Sequence, residues 1–465
     1  MDYDIHIIGA GLAGSEAALV AARNGLKVRL SEMRPGVSTP VHDTDNAAEV
    51  VCSNSLGSMK TTTAGGCLKR ELAVLGSPLL EIAFNNHVPA GHALAVDKTK
   101  FASDVTSEIE SNPNIDLVRE EITGINPNPD DGKIPVLIAT GPLTSDIFLR
   151  SIALLLGDDN LYFFDAISPS VAHSSIDFDR AFYGSRYNPA EKDYLNCPFT
   201  REEYEVFHKA LTEAERTEIK DFEPDKLFEG CLPVEIIASR DIDALRFGPL
   251  KPVGLEIPGT GKIAWAVVQL RREQADPDSW NLVGFQTRLK YGEQKRVFRM
   301  IPGLENAEFT RLGSMHKNAY IKSPYLLNPT LQVDEFPHIL VAGCLAGVEG
   351  YVEDIATGHL AGLAMAALVR GEPIPSPPPV TLHMALCNTI CNRNNIPFQP
   401  VAATLGLLPP IEPRIRSKKL RREALTRRSL DTMMRYAESL RESGYHQPDE
   451  LRIPERFENP VREGT

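Results

Sequence analysis

Cysteine is scarce in this chain, with 7 in 465 residues. An odd, sparse count argues against a disulfide framework and for a reducing, cytoplasmic setting, where each thiol either packs or does chemistry. Long apolar runs are missing too. None approaches the roughly 20 residues a membrane helix needs, so no membrane partner is expected. The start, MDYDIHIIGAGLAG, carries acids and leads straight into structure, unlike a signal peptide. Positive charge is in deficit, with 49 Lys and Arg against 62 Asp and Glu and a net charge of −13. That balance speaks against non-specific nucleic-acid binding by the chain as a whole, although a local basic patch can still meet phosphates. No internal repeat is visible.

The rest of the composition, 42% hydrophobic and 24% charged, is ordinary for a globular enzyme. At this length two or three domains of about 100–200 residues are expected.

YDIHIIGA is a short β-branched run ending in glycine, LAGSEAALVAARNG reads as a helix stopped by Gly25, and KVRLSEM follows as a second strand. The result is strand–GxGxxG–helix–strand, with Gly9, Ala10, Gly11, Leu12, Ala13 and Gly14 in the turn and Glu32 ending the second strand. Gly9 allows the tight turn, Gly11 admits a pyrophosphate close to the backbone, and Gly14 lets the helix pack against the strand. The helix N-terminus offers free N–H groups to phosphates, and Glu32 can accept from a ribose hydroxyl.

The expected dinucleotide is FAD. KIPVLIATGPL gives a strand ending at Ala139-Thr140-Gly141, a recurrent feature of FAD-binding folds of the two-dinucleotide kind. HILVAGCLAGVEGYVEDIATGHLAGLAMAALV adds a late strand, a turn through Gly343 and Gly347, and a small-residue helix. GTGKIA, from Gly259, follows a proline rather than a strand and reads as a hairpin turn, so no dedicated nicotinamide domain is expected.

Between about Tyr187 and Lys290 the pattern changes. REEYEVFHKALTEAERTEI is an amphipathic helix, and PVEIIASR, FGPLKPVGLE, KIAWAVVQL and WNLVGFQT look like strands. The expected architecture is therefore α/β: a Rossmann-like FAD-binding domain at 1–186 and 291–370, an inserted α+β domain at 187–290, and a helical C-terminal segment at 371–465. GEPIPSPPPV reads as the connector to that segment. His383, Cys387 and Cys391 recur every four residues in HMALCNTIC. Each such step climbs about 6 Å along a helix, so the three cannot share an ion at about 2 Å. A buried helix face is the better account, and no metal is expected. RIRSKKLRREALTRR, from Arg414 to Arg428, is a basic run nearly free of acids.

GAGLAGSEAA, EVVCSNSL, YLNCPFTREEY, FEGCLPVEIIASR, FGPLKPVGL, NLVGFQT, IPGLENAEFTRLGSMHKNAYI and GVEGYVED occur in one order. Together they resemble the folate- and FAD-dependent tRNA (uracil-5-)-methyltransferases of the TrmFO family, relatives of the GidA/MnmG tRNA-modifying flavoproteins. The likeness runs from near Met1 to about Leu430. It implies methylation of the T-loop uridine, position 54, of tRNA, with methylenetetrahydrofolate supplying the carbon and NAD(P)H the electrons.

Uracil C5 is a poor nucleophile until a thiolate adds to C6 and moves electron density to C5, which is covalent catalysis in its ordinary sense. By resemblance Cys231 in FEGC is that nucleophile, and Cys52 in VCSNSL is a general base or a guard of the flavin. Free cysteine ordinarily packs, and for Cys197 in YLNCPF that is the expectation; Cys67 is unassigned. Arg288, Lys290, His316 and Lys317, with the Arg414–Arg428 run that includes Lys418 and Lys419, are expected to meet RNA phosphates.

Two departures from the family pattern stand out. Gly343-Cys344-Leu345-Ala346-Gly347 replaces GQ(I/L)TG, and Pro400-Val401-Ala402-Ala403-Thr404-Leu405-Gly406 replaces PMNANFG. The competing readings are the same chemistry on ribosomal RNA, a flavin-dependent NAD(P)H oxidase that has lost methyl transfer, and a non-catalytic RNA-binding protein.

Overall fold

A computed structural model of the chain describes residues 3–39, 41–126, 134–157, 161–186, 191–217, 232–275, 278–395, 397–446 and 451–458. Cys231 lies outside these described residues.

Ile5–Ile8 sits in the middle of a five-stranded parallel sheet ordered Ile339–Val341, Val136–Ile138, Ile5–Ile8, Val28–Glu32, Ile115–Arg119. Its strands include apolar runs such as ILV and VLI, as expected where helices cover both faces of a sheet. The helix Leu12–Arg23 is buried along nearly its whole length and lies against Tyr351–Arg370. Gly358 and Gly362, about one helical turn apart, make that approach possible. A Cβ on Gly358 would stand 2.3 Å from the Ala13 carbonyl oxygen, and one on Gly362 would stand 2.9 Å from that of Ala17. Among the described residues Tyr351–Arg370 is the one helix long and apolar enough to cross a membrane, and most of it is buried in this core.

A second core is built on a six-stranded sheet ordered Phe182–Gly184, Tyr194–Phe199, Ala266–Arg272, Ser279–Leu282, Ser170–Ala172, Phe309–Arg311. Arg201–Glu213 packs on it through Tyr204, Phe207 and Leu211, its start fixed by a capping box of Thr200 and Glu203. This sheet draws strands from both sides of the 187–290 window expected for an insertion. Two of the four strand expectations there are corrected. PVEIIASR holds the helix Val234–Ala238, because Pro233 and Glu235 favour a helix start and outweigh the β-branched isoleucines. FGPLKPVGLE contributes only the end of Ala244–Phe247 and the first residue of Glu256–Ile257. GTGKIA is the turn of the hairpin Glu256–Ile257/Lys262–Ile263.

The tail helices Leu382–Ile390 and Lys418–Glu442 dock on Ala64–Val74. The anchor is Glu71, which is fully buried and accepts from the Leu382 and His383 backbone N–H groups at 2.8 Å each and from the Ser429 hydroxyl. His383 and Cys387 lie on the buried face of their helix, with Cys391 capping its end. Glu71→Ala should strand the buried His383 N–H and the Ser429 hydroxyl, the Leu382 N–H keeping Ser429 Oγ at 3.0 Å, and so lower stability by on the order of 3 kcal/mol. A thermal or denaturant melt checks this, and a melt unchanged from the parent contradicts the anchor.

Candidate active site

At the C-terminal ends of the parallel strands, where open α/β sheets bind their ligands, a cavity of about 340 Å³ opens. Gly9, Gly11, Leu12, Ala13, Glu32, Gly141 and Gly343 are on its wall. Gly9 has φ +100°, and a Cβ there would lie 2.6 Å from the Ala139 carbonyl oxygen. A Cβ on Gly14 would lie 1.9 Å from the Gly9 carbonyl oxygen, so the helix starts hard against the turn. Gly11 is different: nothing lies within 4 Å of its notional Cβ. Among the described residues no acceptor is assigned to the Gly11, Leu12 and Ala13 backbone N–H groups. These orphaned donors at a helix N-terminus suit a pyrophosphate.

Glu32 faces the same space, held by the Ala10 N–H at 2.9 Å and the Arg34 Nε at 2.8 Å. Burial pushes its carboxyl up, but Arg34 and the two backbone donors outweigh burial and hold it below the usual carboxylate range. An ionised acceptor thus stands where a ribose hydroxyl is read. The residues present fit a dinucleotide.

Not every position nominated from the sequence is on the wall. Ala10 and Gly14 support it from behind, Ala10 through its bond to Glu32 and Gly14 through packing. Gly347 is not on this wall, and a Cβ there would lie 2.4 Å from the Phe398 ring.

Cys52 is on the cavity wall, half-buried. Its N–H and that of Ser53 donate to the Tyr351 hydroxyl at 2.8 and 3.2 Å. The loop is clamped from the second sheet by two arginines. Arg271 donates to Asn54 Oδ1 at 2.8 Å and Ser53 Oγ at 2.7 Å, and Arg311 donates to the Val51 carbonyl at 2.9 Å. Both sheets therefore meet at the cysteine loop, and only tertiary structure reveals it. Arg271→Met should free this loop, since each hydrogen bond from a charged donor contributes roughly 1.5–3 kcal/mol. Iodoacetamide labelling of Cys52, followed by mass spectrometry, should become several-fold faster; an unchanged rate contradicts the clamp.

Cys344 and Asp354 also line the cavity, with the Cys344 thiol donating to Asp354 Oδ2 at 3.4 Å. Cys197 and Cys67 are fully buried, and burial drives both thiols well up, away from thiolate chemistry.

Among the residues nominated for RNA, Lys290 is exposed but paired with Glu215 at 2.7 Å. Arg288 is half-buried, and burial and then Arg216 push its guanidinium below its ordinary range. His316 and Lys317 are in the strand Met315–Tyr320, their side chains outside the described set. Arg414, Arg416, Lys418, Lys419, Arg422 and Arg427 are all exposed around the start of Lys418–Glu442.

The parallel sheet, glycine turn and terminal acid define the class: an α/β dinucleotide-binding protein. The family model described as "Glucose inhibited division protein A" matches residues 4–373. The chain belongs to that family, in the group named methylenetetrahydrofolate--tRNA-(uracil-5-)-methyltransferase TrmFO. The relative of that name from Moorella thermoacetica is 52% identical over 431 residues, covering 93% of this chain and 98% of the relative. Those from Koribacter versatilis and Enterococcus faecalis are 51% and 49% identical, over 90% and 95% of this chain and 93% and 100% of their own lengths. The solved structure of Aquifex aeolicus GidA, form II, shares the fold. Its TM-score is 0.65 at 17% identity, over 95% of this chain and 76% of that one.

Proposed function

We propose that this chain methylates uracil C5 in tRNA, at the T-loop uridine 54, using methylenetetrahydrofolate, FAD and NAD(P)H. The observation that carries the reading is the 52% identity to a protein named for that activity over 93% of the chain. The site supports it with a dinucleotide cradle that shares its wall with Cys52. Gly11, Leu12 and Ala13 would hold the FAD pyrophosphate and Glu32 a ribose. Bound there, the flavin supplies redox chemistry and one-carbon delivery. Cys231 adds to uracil C6, the C5 enolate so formed bonds the one-carbon unit, C5 then loses its proton as the thiolate leaves, and a hydride originating from NAD(P)H completes the methyl group. Cys52 either takes that proton or guards the flavin. A cytoplasmic location goes with this reading.

The RNA surface in this reading is the start of Lys418–Glu442. That helix has no acidic residue in its first turn and two lysines instead. Cations at a helix N-terminus oppose the macrodipole by about 0.3–1 kcal/mol each. A local rule broken without a compensating partner marks a functional surface, and exposed cations beside free N–H groups suit phosphates. Lys418→Glu with Lys419→Glu should weaken tRNA binding roughly tenfold or more and flatten its dependence on salt. Binding that keeps the parent's affinity and salt slope contradicts this surface.

The test of the whole reading is methyl transfer to a tRNA transcript that requires both the folate and NAD(P)H, with ribosomal RNA run alongside. Methylation of the ribosomal RNA instead would move the chemistry to another target. NAD(P)H oxidation with no methylated uridine would leave an oxidase.

A further inference from the structure

Cys344 stands where the family pattern has glutamine, and its thiol meets Asp354. Asp354 Oδ1 is buried and has no hydrogen-bond partner among the described residues. It sits beside Gly343, whose notional Cβ would fall 3.3 Å from it. Among the described residues, the donors that favour a carboxylate here come from Cys344, its weak thiol and its backbone N–H. Leaving a buried charge with an orphaned oxygen is expensive. The N-terminus of Tyr351–Arg370 favours the anion by at most about 2 kcal/mol.

Among the described residues, the titratable groups that act on this pair include no cation. Glu353 is on the same helix, Glu349 on the connecting loop, and Cys52 on the loop across the cavity wall. Lys69, which burial pushes down to about 7, acts on Glu353 and gives its hydrogen bond to the Leu56 carbonyl. Burial, reinforced by Glu353 and opposed by the Cys344 donors, pushes Asp354 up to about 7. Asp354 is thus an acid that holds its proton below neutrality and loses it just above.

We propose that Asp354, with Cys344, forms a proton-holding pair that binds the flavin through its neutral carboxylic acid, so the cofactor is held tightly only while Asp354 is protonated. The inference rests on the flavin reading above and extends it to a residue of this chain's own. A protonated carboxyl carries an O–H donor that the ionised form lacks, and the flavin ring has carbonyl oxygens and ring nitrogens to accept it. Ionisation removes that donor and adds a negative charge beside a ligand already anionic. By linkage, proton loss and FAD binding oppose each other.

The experiment is FAD titration of flavin-free protein by fluorescence quenching across neutral pH. The parent should lose affinity by about tenfold per pH unit once Asp354 is ionised. Asp354→Asn, which keeps a donor and cannot ionise, should bind FAD with little pH dependence. Cys344→Ser, a stronger donor to the carboxylate, should move the midpoint to lower pH, and it carries the test if the asparagine variant melts early. An Asp354→Asn protein with the parent's pH dependence, or an unmoved midpoint in Cys344→Ser, overturns the pair while leaving the flavin reading intact. A parent that takes up no FAD at any pH overturns both.

Discussion

Gly11→Val should give a folded but colourless protein. The backbone at Gly11 is extended, with φ −73° and ψ −169°, a conformation valine tolerates. A Cβ there touches nothing within 4 Å, so the fold gives no resistance. The new side chain would stand over the Leu12 and Ala13 N–H groups, where the pyrophosphate is expected. Overpacking of this kind costs on the order of 3 kcal/mol, about a hundredfold in affinity. Gly14→Ala makes the contrast. Its Cβ would meet the Gly9 carbonyl oxygen at 1.9 Å, so that protein should be lost to misfolding rather than to a vacant site. Flavin absorbance and a thermal melt, measured on both variants, separate the two outcomes. A yellow Gly11→Val protein of parental affinity contradicts the cradle.

Cys231→Ser should abolish methyl transfer while sparing flavin reduction. A serine hydroxyl in the same place is far less acidic than a thiol, and the thiolate is the attacking species. Removing the nucleophile from a covalent enzyme lowers turnover by on the order of a thousandfold or more. NAD(P)H oxidation needs the cofactor alone and should remain within a few-fold of the parent. Loss of both activities together would place Cys231 in the flavin site instead of at the base. Cys52→Ala divides its two open roles: a lost base leaves the RNA adduct intact, while a lost guard raises NAD(P)H oxidation by oxygen.

The cradle is legible in the sequence because its demands fall on single residues. Only glycine fits where the Gly9 and Gly14 backbones nearly touch their neighbours, and the acid ending the second strand follows at a set spacing. Three strands of the parallel sheet are equally plain: Ile5–Ile8, Val136–Ile138 and Ile339–Val341 are short apolar runs that lead into glycine turns, whereas the edge strand Ile115–Arg119 carries two charges and gives no such signal. In the middle of the chain, β-branched runs mislead at Val234–Ala238, where proline and glutamate at the start favour a helix. The clamp on the Cys52 loop cannot be read at all. Arg271 and Ser53 are 218 positions apart, and no periodicity in either segment points to the other. The Cys344–Asp354 pair is half visible: the thiol stands out as a departure, but its partner becomes evident only once helix and turn are packed. Lys290 shows the opposite failure, a cation that looks available in sequence and is paired with Glu215 in the fold.

The central claim is that a thiolate of this chain joins the uracil ring beside bound flavin. The most direct measurement is incubation of the purified protein with T-loop RNA carrying 5-fluorouracil, methylenetetrahydrofolate and NAD(P)H, followed by peptide mass spectrometry. Fluorine at C5 does not leave as a proton does, so the covalent adduct should accumulate and map to Cys231. RNA bound without any covalent adduct, from a protein that methylates ordinary T-loop uridine, would contradict the account.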